Sequence, residues 1–174
     1  MFDGPEDRNG RRNIDEIHFW LYRAAWEFLV LIPGNDKASQ AASEKRRKNL
    51  PEFVILGDLN ADPNDGESRP GAIARLLGHW RINAESVPTS GGAVEAARLQ
   101  AGKNLTHQSD PAADTADFGD DDRGPGNLRV DYVLPSIDLD VVGSGVYWPT
   151  VDDPHAYLNQ ASDHKLVWID VRLP

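Results

Sequence analysis

Three short apolar runs, each joined to an Asp, Asn or His, constrain this chain more than any other feature of it. They are Phe53-Val54-Ile55-Leu56-Gly57-Asp58-Leu59-Asn60, Leu128-Arg129-Val130-Asp131-Tyr132-Val133-Leu134, and Ser162-Asp163-His164 followed by Lys165 to Val171. Runs this short and this rich in β-branched residues read as buried strands. A sheet brings polar groups to one rim in this way, because the strand stays inside while its end carries the chemistry. The rim group is expected to be Asp58, Asn60, Asp131, Asp163 and His164. Together they supply oxygen ligands for a hard cation and one histidine beside carboxylates, which is equipment for metal-assisted phosphoester hydrolysis.

The rest of the chain supplies a frame for that rim. Residues 1–13 are polar and turn-rich, so a helix is expected to start near Asn13. Ile14, Ile17, Leu21, Ala24, Phe28 and Ile32 then recur at spacings of three and four, and Pro33-Gly34 stops the pattern. Residues 35–51 read as a charged connection holding the basic run Glu44 to Lys48. The run from Glu52 to Gly57 is apolar enough to be buried on both faces. Short helices are expected over Ala72 to His79 and Ala93 to Ala101, and Gly102 to Asn127 reads as an acidic loop that includes Asp120-Asp121-Asp122. Strands return at 128–134, around 139–147 and at 165–172.

Composition matters where it removes alternatives. A chain of 174 residues with 40% hydrophobic content is one domain with a sizeable core. It has no Cys, which excludes disulfides and thiolate zinc sites. No apolar run approaches the roughly 20 residues of a membrane span, and Met1-Phe2-Asp3-Gly4 is too polar for a signal peptide. The net charge of −10 disfavours tight nonspecific binding to nucleic acid, yet permits a small phosphorylated substrate held through a divalent cation.

Each candidate is set against a plainer alternative. The segment Asp58 to Gly66 suggests a calcium loop, but an EF-hand needs Gly at its sixth position and Glu at its twelfth, where Pro63 and Arg69 stand. An ordinary Asx-rich turn is the plain alternative. Against that, Asp58 could align and deprotonate a water, and Asn60 could donate its amide to a developing oxyanion. A carboxylate such as Asp131 on a second strand could hold one nitrogen of His164 and leave the other for substrate. Asp163 is then left for metal or water. His18, His79, His107 and His155 lack a paired motif, Tyr132 and Val133 read as core, and Gly143-Ser144-Gly145 lacks the spacing of a nucleophile elbow.

Gly57-Asp58-Leu59-Asn60, Arg129-x-Asp131-Tyr132 and Ser162-Asp163-His164, in this order, resemble the endonuclease/exonuclease/phosphatase superfamily of DNase I-like proteins. The segment Phe2 to Asn13 also looks like a bacterial branch of it. The resemblance implies that Asp58 orients the attacking water with Asn60 as its hydrogen-bonding neighbour. It implies that Asp131 pairs with His164, which contacts the scissile phosphate, and that Asp163, with Asp58, lies at the metal. The implied cofactor is Mg²⁺ or Mn²⁺, with Ca²⁺ as a further candidate, in an attack on phosphorus without a covalent intermediate.

The resemblance also implies an α/β (α+β) fold: a four-layered α/β/β/α sandwich with a mixed, mostly antiparallel sheet and flanking helices. The family's early Asn, its metal-binding Glu and a His or Tyr strand have no counterpart here. Residues 1–174 are therefore expected to be a single partial domain, the C-terminal portion of the family's. Three expectations follow: an exposed sheet face open to homodimer formation, weak or absent activity in the isolated chain, and a phosphoester substrate that is a small molecule rather than duplex DNA. The alternative is a non-catalytic binding module that keeps the fold.

Overall fold

The computed structural model describes residues 6–29, 50–69, 71–119 and 124–173. The charged run Glu44 to Lys48, the stop at Pro33-Gly34 and the acidic run Asp120-Asp121-Asp122 lie outside the described residues. Helix α1 spans Arg8–Leu29, so it starts five residues before the position expected from its apolar periodicity. Periodicity marks only the packed part of a helix. The extra turn is polar and solvated, tied by Arg11 N–H to the Asp7 carbonyl and by an Arg12–Glu16 ion pair at i,i+4. The buried stripe begins with Ile14 and centres on fully buried Ile17, as expected.

Strand β1 (Val54–Asp58) pairs antiparallel with β4 (Asp131–Pro135), with Val54 opposite Pro135 and Asp58 opposite Asp131. Period-2 alternation sends Ile55, Tyr132 and Leu134 to one face. There they pack with Ile17 of α1 and with Ile73 and Leu76 of α2 (Ala72–Leu77), and this is the main core. Burial of β1 on both faces is not what the structure has: Val54 is 38% exposed and Leu56 66%. The described elements cover the α1 side of this ladder and leave Val54 and Leu56 on the other.

Helix α3 (Gly91–Gln100) starts two residues before its expected position, because the Ser90 hydroxyl accepts the Ala93 N–H at 3.0 Å. It lies close on the chain at Trp148, where a Cβ on Gly92 would fall 1.8 Å from the Trp148 carbonyl oxygen. Ala93, Val146 and Trp148 form the small core beneath it. Ser90→Ala should cost about 1 kcal/mol, read as a lower urea midpoint with an unchanged slope. An unchanged midpoint would remove the cap from the account.

The described residues between 102 and 127 are not the loop that their acidity suggests. Two 3₁₀ turns (Gly102–Thr106 and Pro111–Ala113) lead into β2 (Ala116–Asp117), which pairs antiparallel with β3 (Asn127–Leu128). Two-residue strands leave too little periodicity to read from sequence. Strands β5 (Asp140–Tyr147) and β6 (Leu166–Arg172) form the longest ladder, broken by a bulge between Val141 and Gly143. The lead-in to β6 joins β2: Asp117 N–H reaches the Asp163 carbonyl at 2.9 Å, and Lys165 N–H reaches that of Thr115 at 2.8 Å. Four sequence-distant segments are thereby brought to one rim.

Candidate active site

The rim is built by register. Asp58 ends β1 and Asp131 begins β4, and the two are direct partners across the ladder. Side chains of such a pair project from the same face. His164, from the lead-in to β6, meets Asp131 there: Nδ1 lies 2.9 Å from Asp131 Oδ2. Ligand atoms of Asp58, Asp131 and His164 all fall within 4.8 Å of one another.

Asn60 closes the group on one side. Its backbone is left-handed (φ 47°), a conformation that Asn tolerates better than most residues. Asp58 explains the bend, because its carboxylate accepts the Asn60 N–H at 2.7 Å and the side-chain amide at 2.8 Å. One amide hydrogen of Asn60 remains for another acceptor. Asp163 stands apart: it is exposed, is outside the three-residue group, and its Oδ1 accepts the His164 N–H at 3.1 Å. The Ser162 hydroxyl accepts that same N–H at 3.1 Å. The Phe118 ring stands edge-on to the His164 ring, with centroids 5.4 Å apart.

Burial pulls the His164 imidazole down, but the hydrogen bond it donates to Asp131 and the charges of Asp131, Asp58 and Asp163 outweigh it and raise its pKa above 6.5. Burial raises the Asp131 carboxyl, and hydrogen bonds from His164 and Thr115 oppose that rise. The pair thus favours a carboxylate beside a cationic or Nδ1-protonated ring. As a cation site, the donor set suits a hard ion through Asp58. Asp131 Oδ2 and His164 Nδ1 are already spent on each other, so the three residues form a hydrogen-bonded pair facing a second carboxylate, each of whose oxygens accepts one hydrogen bond from Asn60 and keeps a lone pair for an ion.

The Asx-rich loop divides its labour. Asp62 plays the plain turn role: its Oδ1 accepts the N–H groups of Asn64 and Asp65, both at 2.8 Å, and its Oδ2 accepts that of Arg129 at 2.9 Å. Asp65 holds the next segment through the N–H groups of Gln108 and Ser109. Tyr132 is core, 2% exposed, with its hydroxyl donating to the Ala61 carbonyl at 2.6 Å and the Arg129 guanidinium over its ring. Val133 lies on the other, partly exposed face.

Two clefts meet at Asn60. One, of about 480 Å³, has Lys103, His107, Phe118 and Leu128 among its walls. The other, of about 440 Å³, is bordered by Arg12, Asn13 and Arg69. The remaining histidines are elsewhere engaged: His18 lies against the Tyr22 ring, His79 Nδ1 accepts the Arg81 N–H, His107 Nε2 lies 3.0 Å from the Pro125 carbonyl and His155 pairs with Asp153. Sequence reasoning missed Thr115 and Phe118, because neither stands in a motif. No sequence signal marks Thr115, because the two-residue strand β2 beside it carries no period.

Residues 12–164 match the model of the Endonuclease/Exonuclease/phosphatase family. The chain belongs to the endonuclease/exonuclease/phosphatase family. No curated protein and no solved structure matched the chain. Family membership suggests a phosphoester hydrolase in general terms, from a family that is typically metal-dependent. All three motif segments lie within or at the edge of the matched residues. Among the described residues no helix is long and apolar enough to cross a membrane.

Proposed function

We propose that this chain is a metal-dependent hydrolase of phosphoester bonds whose working residues are Asp58, Asn60, Asp131 and His164. The observation that carries the reading is the convergence of Asp58, Asp131 and His164 from three distant segments, with His164 Nδ1 on Asp131. In this reading Asp58 orients and deprotonates the attacking water, and Asn60 helps to hold Asp58 and binds a phosphate oxygen. His164, kept protonated by Asp131, meets the negative charge that develops on the phosphate. Asp58 and Asp163 are the side chains that would hold the ion, Mg²⁺ or Mn²⁺ before Ca²⁺, because all their donors are hard oxygens. When bound, it supplies charge neutralisation at phosphorus.

Few ligands are offered, so ion binding is weak and hydrolysis slow. The substrate is a small phosphoester rather than duplex DNA. Supporting this are the acidic rim and a cleft of about 480 Å³, a size suited to small molecules. The same reading takes the described elements as the C-terminal part of a four-layered α/β/β/α sandwich. It has exposed Val54 and Leu56 on β1 and Leu166 and Trp168 on β6 in self-association. A compact monomer in concentrated sedimentation runs would remove that last element.

The test is hydrolysis of bis-p-nitrophenyl phosphate and p-nitrophenyl phosphate with Mg²⁺, with Mn²⁺, and with EDTA. Slow turnover is expected with either metal and none with EDTA. Turnover that is indifferent to EDTA would sink the metal assignment. Absence of turnover under every condition would move the protein to the class of binding modules.

A further inference from the structure

Thr115 joins more of the rim than any residue named so far. It directly precedes β2 and is 1% exposed. Its hydroxyl donates to Asp131 Oδ2 at 3.0 Å, the same oxygen that meets His164 Nδ1. The hydroxyl oxygen accepts two backbone donors, Val130 N–H at 3.0 Å and Asp131 N–H at 2.9 Å. A hydroxyl has one donor and two acceptor positions, so all three are filled. The backbone of Thr115 is held on both sides as well: its N–H reaches the Leu128 carbonyl at 2.9 Å, and its carbonyl accepts Lys165 N–H at 2.8 Å. One residue therefore ties the segment that carries Asp131 to the segment that carries His164.

The consequence is orientational. Asp131 can place Oδ2 toward His164 only if its side chain is held in one rotamer, and it is partly exposed. The Thr115 hydroxyl cannot swing away, because turning would leave two backbone N–H groups without a partner. A threonine is also restricted about χ1 by its β-branch. The hydroxyl oxygen is thus held in place, and of the two acceptors within its reach Asp131 Oδ2 at 3.0 Å is nearer than the Leu128 carbonyl at 3.5 Å. No other hydrogen bond among the described residues reaches Oδ2 besides the one from His164.

We propose that Thr115 is a positioning residue that fixes Asp131 and thereby keeps the Nδ1–H of His164 on that carboxylate, in the protonated ring and, as the Nδ1–H tautomer, in the neutral one. This rests on reading Asp131 and His164 as the working pair. His164 Nε2 is then the ring nitrogen left for substrate, since no described residue bonds to it. An imidazole without such a partner distributes its proton over both nitrogens.

The test uses long-range ¹H–¹⁵N correlation of the His164 ring, with EDTA present and at a pH where the ring is neutral, so it needs no turnover. Wild type and Thr115→Ser are expected to show a single Nδ1–H tautomer. Thr115→Val and Thr115→Ala are expected to show a mixture. Where turnover is measurable, kcat should fall about 10–100-fold, the usual loss when an orienting hydrogen bond is removed, with KM little changed and Thr115→Ser restoring it. Thermal melts report whether each variant is folded. Should Thr115→Val fail to fold, the comparison of Thr115→Ala with Thr115→Ser carries the test. A single Nδ1–H tautomer in the folded Val or Ala variant would overturn the proposal, as would a mixture in wild type. Intact tautomer effects without any hydrolysis would uphold the role of Thr115 and sink the hydrolase reading instead.

Discussion

His164→Ala is expected to lower metal-dependent hydrolysis of bis-p-nitrophenyl phosphate by about 10²–10⁴-fold, the range for losing a positioned acid–base group. The ring is held at 2.9 Å on Asp131 and its pKa is raised, so the native site favours the protonated form. A cation placed where charge develops on a phosphate acts most strongly in a partly desolvated site. His164 is also peripheral to the core, with about a third of its side chain exposed. Its removal should therefore leave the melting temperature nearly unchanged while activity collapses. Asp131→Asn should lose activity as well. It should also bring the His164 pKa down, because the hydrogen-bond and charge effects that lift it come first from Asp131.

A pH dependence of stability follows with a definite sign. A histidine that holds its proton more tightly when folded stabilises the native state below 6.5, and that contribution is lost as pH rises through the native value. The Asp131→Asn variant in EDTA should lack that part of the slope. Wild-type activity in His164→Ala would refute the assignment, and so would full loss accompanied by unfolding, since the effect would then be structural.

Asp114→Asn is expected to stabilise the protein at alkaline pH by ~3 kcal/mol. Asp114 is 3% exposed, and burial, together with the charges of Asp62, Asp65 and Asp110, pushes its carboxyl from 3.8 up to about 7. Its neighbours cannot give way. Asp62 and Asp65 are committed as acceptors of backbone N–H groups from 64, 65, 108, 109 and 129, and at Asp65 burial is outweighed by those hydrogen bonds, which hold its carboxyl below the usual value. A displacement of that size corresponds to ~4 kcal/mol against the charged form, and relaxation of the site reduces it.

The direction of the pH effect is fixed by proton counting. Between 3.8 and about 7 the native chain holds a proton on Asp114 that the unfolded chain has released. Stability therefore falls as pH rises across that window and is level above it. Asn keeps the shape and removes the titration, so the variant should gain little at about pH 4 and its full margin at about pH 8. Urea unfolding at both values decides it. Parallel pH profiles for wild type and variant would show that Asp114 ionises normally in the folded protein.

Much of the framework was legible because it depends on local patterning. The helix over Ile14 to Ala24 follows from apolar spacing, and Ile17 sits where that spacing puts it. The strands at 54–58, 140–147 and 166–172 follow from short β-branched runs, but the run expected as one strand over 128–134 is split: Leu128 pairs in β3 and β4 begins only at Asp131. Asp58, Asn60, Asp131 and His164 were nominated by the same logic, since strand ends are where a buried sheet surfaces. The polar first turn of α1 escaped notice because nothing apolar marks it. Strand β2, and Asn127 of β3, escaped because two residues carry no period.

The local chemistry of this protein was determined by its sequence alone: which segments become strands, and which residue types stand at their ends. Only the tertiary structure decided which of those residues meet. Asp58 faces Asp131 because the β1–β4 ladder takes one register, and a slip of one residue would turn Asp131 to the other side of the sheet. His164 reaches Asp131 because Thr115, just before β2, bonds both Asp131 and Lys165 in the lead-in to β6, across 16 and 50 residues of chain. Such long-range contacts depend on the packing of the whole domain, so no window along the sequence contains them. That is why the motifs could be read from the sequence, whereas Thr115, which joins them, could not.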